Sequence, residues 1–172
     1  MSARQEAIKE VIASRESGGD YNVVYGGKKM PLTEMTIGEI IRWQEEQVEA
    51  GATSTAAGKY QIILKTMKDL ARKNPKDFGE DKLFDAKAQE WAADTLLNRR
   101  GWDKFESGKM TDEEMAFALA KEWASLPDPK TGKSYYDKDG VNKAHHTPEY
   151  ILSVLNLVDA SGPKIIEKED EA

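Results

Sequence analysis

Short amphipathic stretches, bounded by residues that start or stop helices, run along most of this sequence. Two of them open on a capping box, in which a threonine precedes a glutamate by three positions: Thr36 with Glu39, and Thr111 with Glu114. Such a pair satisfies backbone N–H groups that the first turn of a helix leaves without a partner. Glycine or proline follows most of the apolar stripes, and both residues interrupt helices. These helix-starting and helix-stopping residues therefore predict helices joined by loops.

The spacing of apolar positions predicts six helical segments, since it repeats with the period of a helix. They cover residues 3–16, 37–50, 60–73, 84–99, 112–126 and 148–160. Residues 21–25 are aromatic and β-branched and precede Gly26-Gly27, a pattern that favours one strand of a small hairpin. The fold class predicted is mainly α, of the α+β kind, with helices and a small β-hairpin.

Composition excludes several kinds of chemistry. The chain of 172 residues has no Cys, which rules out a disulfide scaffold, a thiol nucleophile and a cysteine-containing zinc site. Its two histidines, His145 and His146, are adjacent, so no pair has the helical spacing of metal ligands. The net charge of −6 argues against a partner nucleic acid, because sequence-reading binders usually carry a basic face. Carboxylates remain as the natural carriers of any reaction.

Glu16 is the first candidate catalytic residue. It stands in the last turn of the first predicted helix, where the helix dipole favours the protonated form of a carboxyl group. Apolar walls would raise its pKa further, as a general acid near neutral pH requires. Gly18-Gly19 would let the chain turn away and leave room for a substrate. The alternative is an ordinary carboxylate on a solvated face.

Two loops are candidate binding segments. In the first, Ser54, Thr55, Gly58, Tyr60 and Gln61 combine small residues with groups that can hydrogen-bond sugar hydroxyls, although an ordinary loop before a helix has the same composition.

The second loop spans residues 128–146, and loops of this length in a compact domain are usually functional or mobile. Tyr135 and Tyr136 can stack on pyranose rings, and Asn142 is assigned to the same surface. Residues 137–140 lack the ligand pattern of a calcium loop and are interpreted as a turn.

Four segments in this order resemble the lambda-phage type of endolysin, a lytic transglycosylase of the lysozyme superfamily. They lie between about residue 12 and residue 127: Arg15-Glu16-Ser17-Gly18, Ser54-Thr55-Ala56-Ala57-Gly58-Lys59-Tyr60-Gln61, Arg100-Gly101 and Trp123-Ala124-Ser125-Leu126-Pro127. The Glu-Ser-Gly element followed by Gly-x-x-Gln also recurs in goose-type lysozymes and cellular transglycosylases.

The resemblance implies a lysozyme-like catalytic domain over residues 1–162 with a substrate cleft, followed by an acidic tail, 163–172, expected to be frayed. Glu16 would be the acid/base that cleaves the β-1,4 bond between N-acetylmuramic acid and N-acetylglucosamine. Tyr60 and Gln61 would position the sugars, and the loop with Tyr135 and Tyr136 would cover or extend the cleft. The partner would be peptidoglycan and the enzyme a monomer, with no metal or organic cofactor required.

Two alternatives stay open. Hydrolysis by a muramidase usually needs a second carboxylate, for which Asp20 is nearest in sequence and Glu34 is another loop candidate. A carboxyl separation of about 5–5.5 Å would favour retaining hydrolysis, and about 6.5–9.5 Å inverting hydrolysis. A non-catalytic glycan-binding or virion structural domain could also have this shape, since a fold does not establish an activity.

The location of action is also an expectation. Residues 1–11 lack the apolar stretch of about 7–15 residues that a signal peptide needs, and no apolar run reaches the ~20 residues that span a bilayer. We therefore expect synthesis in the host cytoplasm, no membrane partner, and action on the cell wall in the periplasm. Both a lysis enzyme and a virion-borne enzyme fit the sequence.

Overall fold

The computed structural model describes residues 1–136 and 142–157. Within these ranges there are eight α-helices: α1 (Ala3–Glu16), α2 (Ile37–Glu49), α3 (Leu64–Lys73), α4 (Pro75–Phe78), α5 (Ala86–Arg99), α6 (Trp102–Glu106), α7 (Asp112–Glu122) and α8 (Pro148–Leu155). Strands β1 (Val23–Val24) and β2 (Lys28–Lys29) pair antiparallel, with Val23 opposite Lys29. The prediction of a mainly α fold with one small hairpin is confirmed. No helix among the described residues has the length and apolarity that crossing a membrane requires.

Both predicted capping boxes form. The Thr36 hydroxyl accepts a hydrogen bond from the Glu39 N–H at 3.1 Å, and the Glu39 carboxylate accepts one from the Thr36 N–H at 2.8 Å. Thr111 and Glu114 make the same pair of bonds at the start of α7. An N-cap of this kind stabilises a helix by about 1 kcal/mol, so the sequence specifies these two helix starts locally.

Three predicted helix boundaries are wrong by about one turn. Helix α8 ends at Leu155 rather than residue 160, because Asn156 is its C-cap and already leaves the helical conformation, with φ −88° and ψ 2°. Helix α3 begins at Leu64 rather than residue 60, because Ala57 and Ile62 exchange backbone hydrogen bonds and close a tight turn. Helix α7 ends at Glu122 rather than residue 126, because Trp123 is already extended, with φ −124° and ψ 113°. The short helices α4 and α6 were not predicted, since one turn is too short to establish a period.

The chain forms two compact units, each with its own apolar core. The central unit comprises residues 16–95, and the terminal unit comprises residues 1–15 with the described part of 96–172. Fully buried side chains of the central unit include Ile37, Ile40, Met67, Leu70, Phe78 and Phe84. Those of the terminal unit include Ile8, Ile12, Leu97, Met115 and Leu119. The acidic tail over 163–172 lies outside the described residues.

Candidate functional site

The end of α1 is tied to the turn at residues 57–62, within the central unit. Glu16, the last residue of α1, is partly exposed, and the hydroxyl of Ser17 donates a hydrogen bond to the Lys59 carbonyl at 2.6 Å. Gly18 and Gly19 follow with φ of 68° and 85°, a left-handed conformation that most residues avoid. Two segments that are 42 positions apart in sequence, both singled out as candidate sites, therefore meet in the fold.

A buried glutamine holds this turn against α5. Gln89 is 1% exposed, and its side-chain oxygen accepts a hydrogen bond from the Lys59 N–H at 2.8 Å. Its amide nitrogen donates to the carbonyls of Tyr21 and Phe84, at 3.1 Å and 3.0 Å. A Cβ at position 58 would stand 2.5 Å from the Gln89 oxygen, so Gly58 is required where the turn packs on the helix. Any contact of Gly58 with substrate stays a prediction.

Gln61 ties the same turn to the hairpin. Its φ is 50°, which is unusual for a residue with a side chain. The side-chain nitrogen donates to the carbonyls of Val23, at 3.0 Å, and Gly58, at 2.8 Å. These bonds give Gln61 a supporting role in the turn. Its contact with sugars stays a prediction.

Three polar side chains surround Glu90, and together with it they form what we call the Glu90 cluster: Tyr21, Lys59, Tyr60 and Glu90. The Tyr60 hydroxyl donates to Oε1 of Glu90 at 2.7 Å. The Tyr21 hydroxyl and the Lys59 ammonium both donate to Oε2 at 2.7 Å. The ammonium also lies 4.9 Å from the centre of the Tyr21 ring. Because Tyr60 is 1% exposed, its side chain supports the turn from within the core, and its predicted sugar contact remains untested.

The electrostatics of the cluster keep its donors protonated near neutral pH. Burial, followed by the hydrogen bond to Glu90, raises the pKa of both the Tyr21 and the Tyr60 hydroxyl. Burial alone would lower the pKa of Lys59, but the hydrogen bond and the negative charge of Glu90 outweigh it and raise that pKa. The cluster therefore keeps its pattern of donors at neutral pH.

The hydroxyl groups of the loop before this turn already have structural partners. Oγ1 of Thr55 accepts a hydrogen bond from the Leu64 N–H at the start of α3, at 2.9 Å. Oγ of Ser54 accepts one from the Ala56 N–H at 3.2 Å. The buried Gln44 donates to the carbonyl of Thr55 at 2.8 Å. Substrate contacts of Ser54 and Thr55 remain predictions.

Asp20, the candidate second carboxylate, is held by the hairpin. One oxygen accepts a hydrogen bond from the Asn22 N–H at 2.7 Å, and the other is paired with the Lys29 ammonium. The hydrogen bond from Lys29, followed by that from Asn22, lowers the pKa of Asp20 below its ordinary value. Asp20 is therefore ionised, and both of its oxygens have partners.

The aromatic candidates belong to the terminal unit. Tyr135 and Tyr136 are 47% and 39% exposed. The ring of Tyr135 packs edge-on against Phe117, with centroids 5.9 Å apart, and the Tyr136 hydroxyl donates to the Lys121 carbonyl. Asn142 is partly exposed, and the turn predicted at residues 137–140 lies outside the described residues. The structure provides an exposed aromatic surface, and its role in binding stays a prediction.

Three supporting residues were missed in the sequence: Gln44, Gln89 and Glu90. A signal for the first two was present, because Gln44 follows Ile40 by one helical turn and Gln89 precedes Ala93 by one turn, both on apolar faces. A polar residue on such a face must find a buried partner. Glu90 had no comparable signal. Among residues 1–136 and 142–157, no group of three or more His, Asp or Glu side chains is arranged to hold a metal ion.

Comparisons with known proteins agree on one family. The endolysin family model matches residues 3–148. The solved structure of bacteriophage lambda lysozyme complexed with a chitohexasaccharide is 19% identical, with a TM-score of 0.54, and the alignment covers 88% of this chain and 91% of that one. A second structure of lysozyme from bacteriophage lambda has 17% identity, the same TM-score and the same coverage. No curated protein matches the sequence significantly.

These matches confirm two predictions, the lysozyme-like fold and the resemblance to lambda-type endolysins. Similarity to the solved structures shows the fold, and the family model supplies the class. Because that model spans most of the sequence, the chain belongs to the endolysin family, the peptidoglycan-degrading glycosidases of bacteriophages.

Proposed function

We propose that this endolysin is a lytic transglycosylase, which cleaves the β-1,4 bond between N-acetylmuramic acid and N-acetylglucosamine with Glu16 as its single acid and base. The observation that carries this choice is the state of Asp20. Its two oxygens are occupied by Lys29 and by the Asn22 backbone. A retaining or inverting hydrolase needs a second carboxylate that can reach the sugar or a water, whereas these two partners hold Asp20 in the hairpin. Transglycosylation needs only one carboxylate.

The proposed reaction uses Glu16 twice. The protonated carboxyl group first donates its proton to the glycosidic oxygen, and the bond from that oxygen to the muramyl anomeric carbon breaks. The resulting carboxylate then accepts the proton of the muramyl 6-hydroxyl, whose oxygen attacks the anomeric carbon and closes a 1,6-anhydro ring. No water is consumed. Because the nucleophile belongs to the substrate, its effective concentration is high without any protein nucleophile.

The environment of Glu16 supports this role. It is partly exposed at the end of α1, so a substrate can reach it. The following residue is tied to the turn that carries Gln61, while Gly18 and Gly19 add no side chain beside it. A further carboxylate of this region, Glu90, already accepts hydrogen bonds from three donors on its two oxygens.

Digestion of purified peptidoglycan, followed by mass spectrometry of the muropeptides, tests the proposal. We expect products that end in 1,6-anhydromuramic acid, lighter by one water than the hydrolytic products. The Glu16→Gln variant should lose at least about 10³-fold in turnover, because a general acid contributes roughly 10²–10⁴-fold and here the same group also serves as base. The variant should still sediment with peptidoglycan. Full activity of Glu16→Gln would contradict the proposal, and absence of release by the wild type would favour a glycan-binding or virion structural domain.

Hydrolysis by a muramidase is the second candidate. The lowered pKa of Asp20 favours it, because a nucleophile or general base must be ionised. Reducing ends among the products, together with loss of turnover in Asp20→Asn, would establish this mechanism in place of the first.

We further infer that the substrate is the glycan strand of peptidoglycan, reached in the periplasm by a monomer. Membership of the endolysin family supports the wall as the site of action. Sugar contacts are proposed for Ser54 and Gln61 in the central unit, which are partly exposed, and for Tyr135, Tyr136 and Asn142 in the terminal unit. The buried Thr55, Gly58 and Tyr60 are proposed to shape the turn that binds the sugars.

A further inference from the structure

We propose that Glu90 is a positioning residue for Glu16, and that it acts through Lys59 and Ser17. This inference rests on the proposed role of Glu16 as the acid. It gives a role to the Glu90 cluster, whose side chains are less exposed than those of an ordinary surface ion pair. The proposed reaction does not itself use the Glu90 carboxylate or the Lys59 ammonium.

The first step is the hold of Glu90 on Lys59. Their 2.7 Å ion pair leaves the two side chains 29% and 19% exposed. For comparison, Glu45 and Lys68 of the same unit are 3.4 Å apart, and their side chains are 46% and 55% exposed. A short, partly enclosed charged hydrogen bond orders a lysine far better than an exposed pair does. The hydroxyls of Tyr21 and Tyr60 fix the carboxylate in turn.

The second step is the attachment of Lys59 at three points. Its ammonium is bound by Glu90, its N–H donates to Gln89, and its carbonyl accepts from Ser17. Gln89 and Glu90 are consecutive residues of α5, so one rigid helix holds both the backbone and the side chain of Lys59. The position of the Lys59 carbonyl is therefore set by α5.

The third step connects the position of the Lys59 carbonyl to the position of Glu16. The carbonyl of Lys59 accepts the 2.6 Å hydrogen bond from Ser17, which is the residue directly after Glu16. Two glycines follow, and neither has a side chain that could anchor the end of α1. The Ser17 hydroxyl also accepts a hydrogen bond from the Gly19 N–H, within the same loop. Loss of the bond to Lys59 would remove the tie between Ser17 and the turn, and a displacement of about 1 Å at Glu16 can lower a rate by about 10²-fold. The order of action is Glu90, Lys59, Ser17 and then Glu16.

The test measures kcat and KM on soluble glycan strands for Glu90→Gln, which removes the charge but keeps the shape. We expect kcat to fall about tenfold while KM changes less than about twofold, because a misplaced acid impairs the reaction more than binding. Glu45→Gln is the matched control, since it removes the exposed pair with Lys68, and it should keep the wild-type kcat. Wild-type kcat in Glu90→Gln would overturn the proposal.

A double-mutant cycle tests the route. Ser17→Ala should lower kcat to a similar extent, and the double variant with Glu90→Gln should be no worse than either alone, because both changes cut one path. Additive losses would contradict the route through Ser17. Lys59→Arg, which keeps the cation, should retain more activity than Lys59→Met, and equal losses would likewise contradict it.

One further variant, Tyr21→Phe, and a comparison with Glu16→Gln distinguish the possible outcomes. If Glu90→Gln fails to fold, Tyr21→Phe removes one hydrogen bond to Glu90 and leaves the ion pair, and kcat should fall in the same direction by a smaller factor. An unchanged kcat in Tyr21→Phe would then overturn the proposal. If Glu16→Gln stays active, the proposed function fails. If Glu16→Gln is inactive while Glu90→Gln is normal, only the positioning role fails.

Discussion

At position 58 the backbone has a φ of 88°, and the space where a side chain would stand is filled by Gln89 and Phe84. Either condition alone would favour glycine. Together they bring the backbone of the turn against α5, where the Gln89 oxygen reaches the Lys59 N–H. The glycine of the Gly-x-x-Gln element thus serves the packing of the site, as well as any approach to sugar that the sequence predicts.

Gly58→Ala should lower the free energy of unfolding by about 2–5 kcal/mol, the sum of the left-handed backbone penalty and the overpacking of a filled space. Gly51→Ala is the control, because Gly51 has a similar φ of 79° but nothing within 4 Å of the added carbon. The control should lose only about 1–2 kcal/mol, the backbone penalty alone. Urea unfolding of both variants measures the difference, and equal losses would show that the contact with Gln89 does not matter.

Among the elements, α8 is preceded by a histidine, His146, next to the N-cap residue Thr147. Thr147 accepts a hydrogen bond from the Tyr150 N–H at 3.1 Å, and the ring of His146 stacks on Tyr150 with centroids 5.5 Å apart. Nε2 of His146 is buried with no hydrogen-bond partner among the described residues. Burial lowers the pKa of His146, the hydrogen bond with the Val11 backbone opposes this, and the charge of Arg15 and of His145 adds to the lowering.

Because the pKa of His146 is lowered in the folded state, the free energy of unfolding depends on pH. Above about pH 6.5, the ordinary histidine pKa, His146 is neutral in the folded and the unfolded chain and contributes no pH dependence. Below that pH the unfolded chain binds the proton more readily, so stability is lost as the pH falls through the lowered pKa of the folded state. His146→Phe, which keeps a ring beside Tyr150, should flatten the fall in unfolding free energy below about pH 6.5. The exposed His145→Gln should not, and identical slopes in wild type and His146→Phe would contradict the assignment.

For the whole molecule, charge opposes the approach to substrate. The net charge is −6, and bacterial walls are generally anionic, so the domain and the wall repel each other at long range. This repulsion extends about 30 Å at 0.01 M salt and about 8 Å at 0.15 M. Binding must then depend on short-range contacts in the site rather than on attraction by the whole surface.

The rate of digestion of intact walls should therefore rise about two- to threefold between 0.01 and 0.15 M salt, as screening shortens the repulsion. The rate on short soluble muropeptide oligomers, whose total charge is far smaller, should change little. Sedimentation of inactive Glu16→Gln with walls at the two salt concentrations separates binding from catalysis. A rate on walls that falls with salt would indicate a locally basic binding surface instead.

The sequence by itself determined the features that depend on neighbours along the chain. The capping boxes at Thr36 and Thr111 specify two helix starts, and the apolar period predicts the helices behind them, because both effects act within a few residues. The same locality placed Glu16 at the end of α1 and made the family resemblance visible. It also explains the errors at α3 and α7, since those boundaries depend on a turn and an extended residue outside the helical period.

Only the tertiary structure decided which polar residues support the candidate site. Glu90 is 31 positions from Lys59 and 69 from Tyr21 in the sequence. A glutamate on an exposed helix face and a glutamate bound in a polar cluster therefore look the same in the sequence. The occupation of Asp20 by Lys29, and of the Thr55 hydroxyl by the start of α3, is likewise a matter of packing. A hydrogen bond depends on distance and direction in space, and neither follows from the order of residues when the partners lie on different elements.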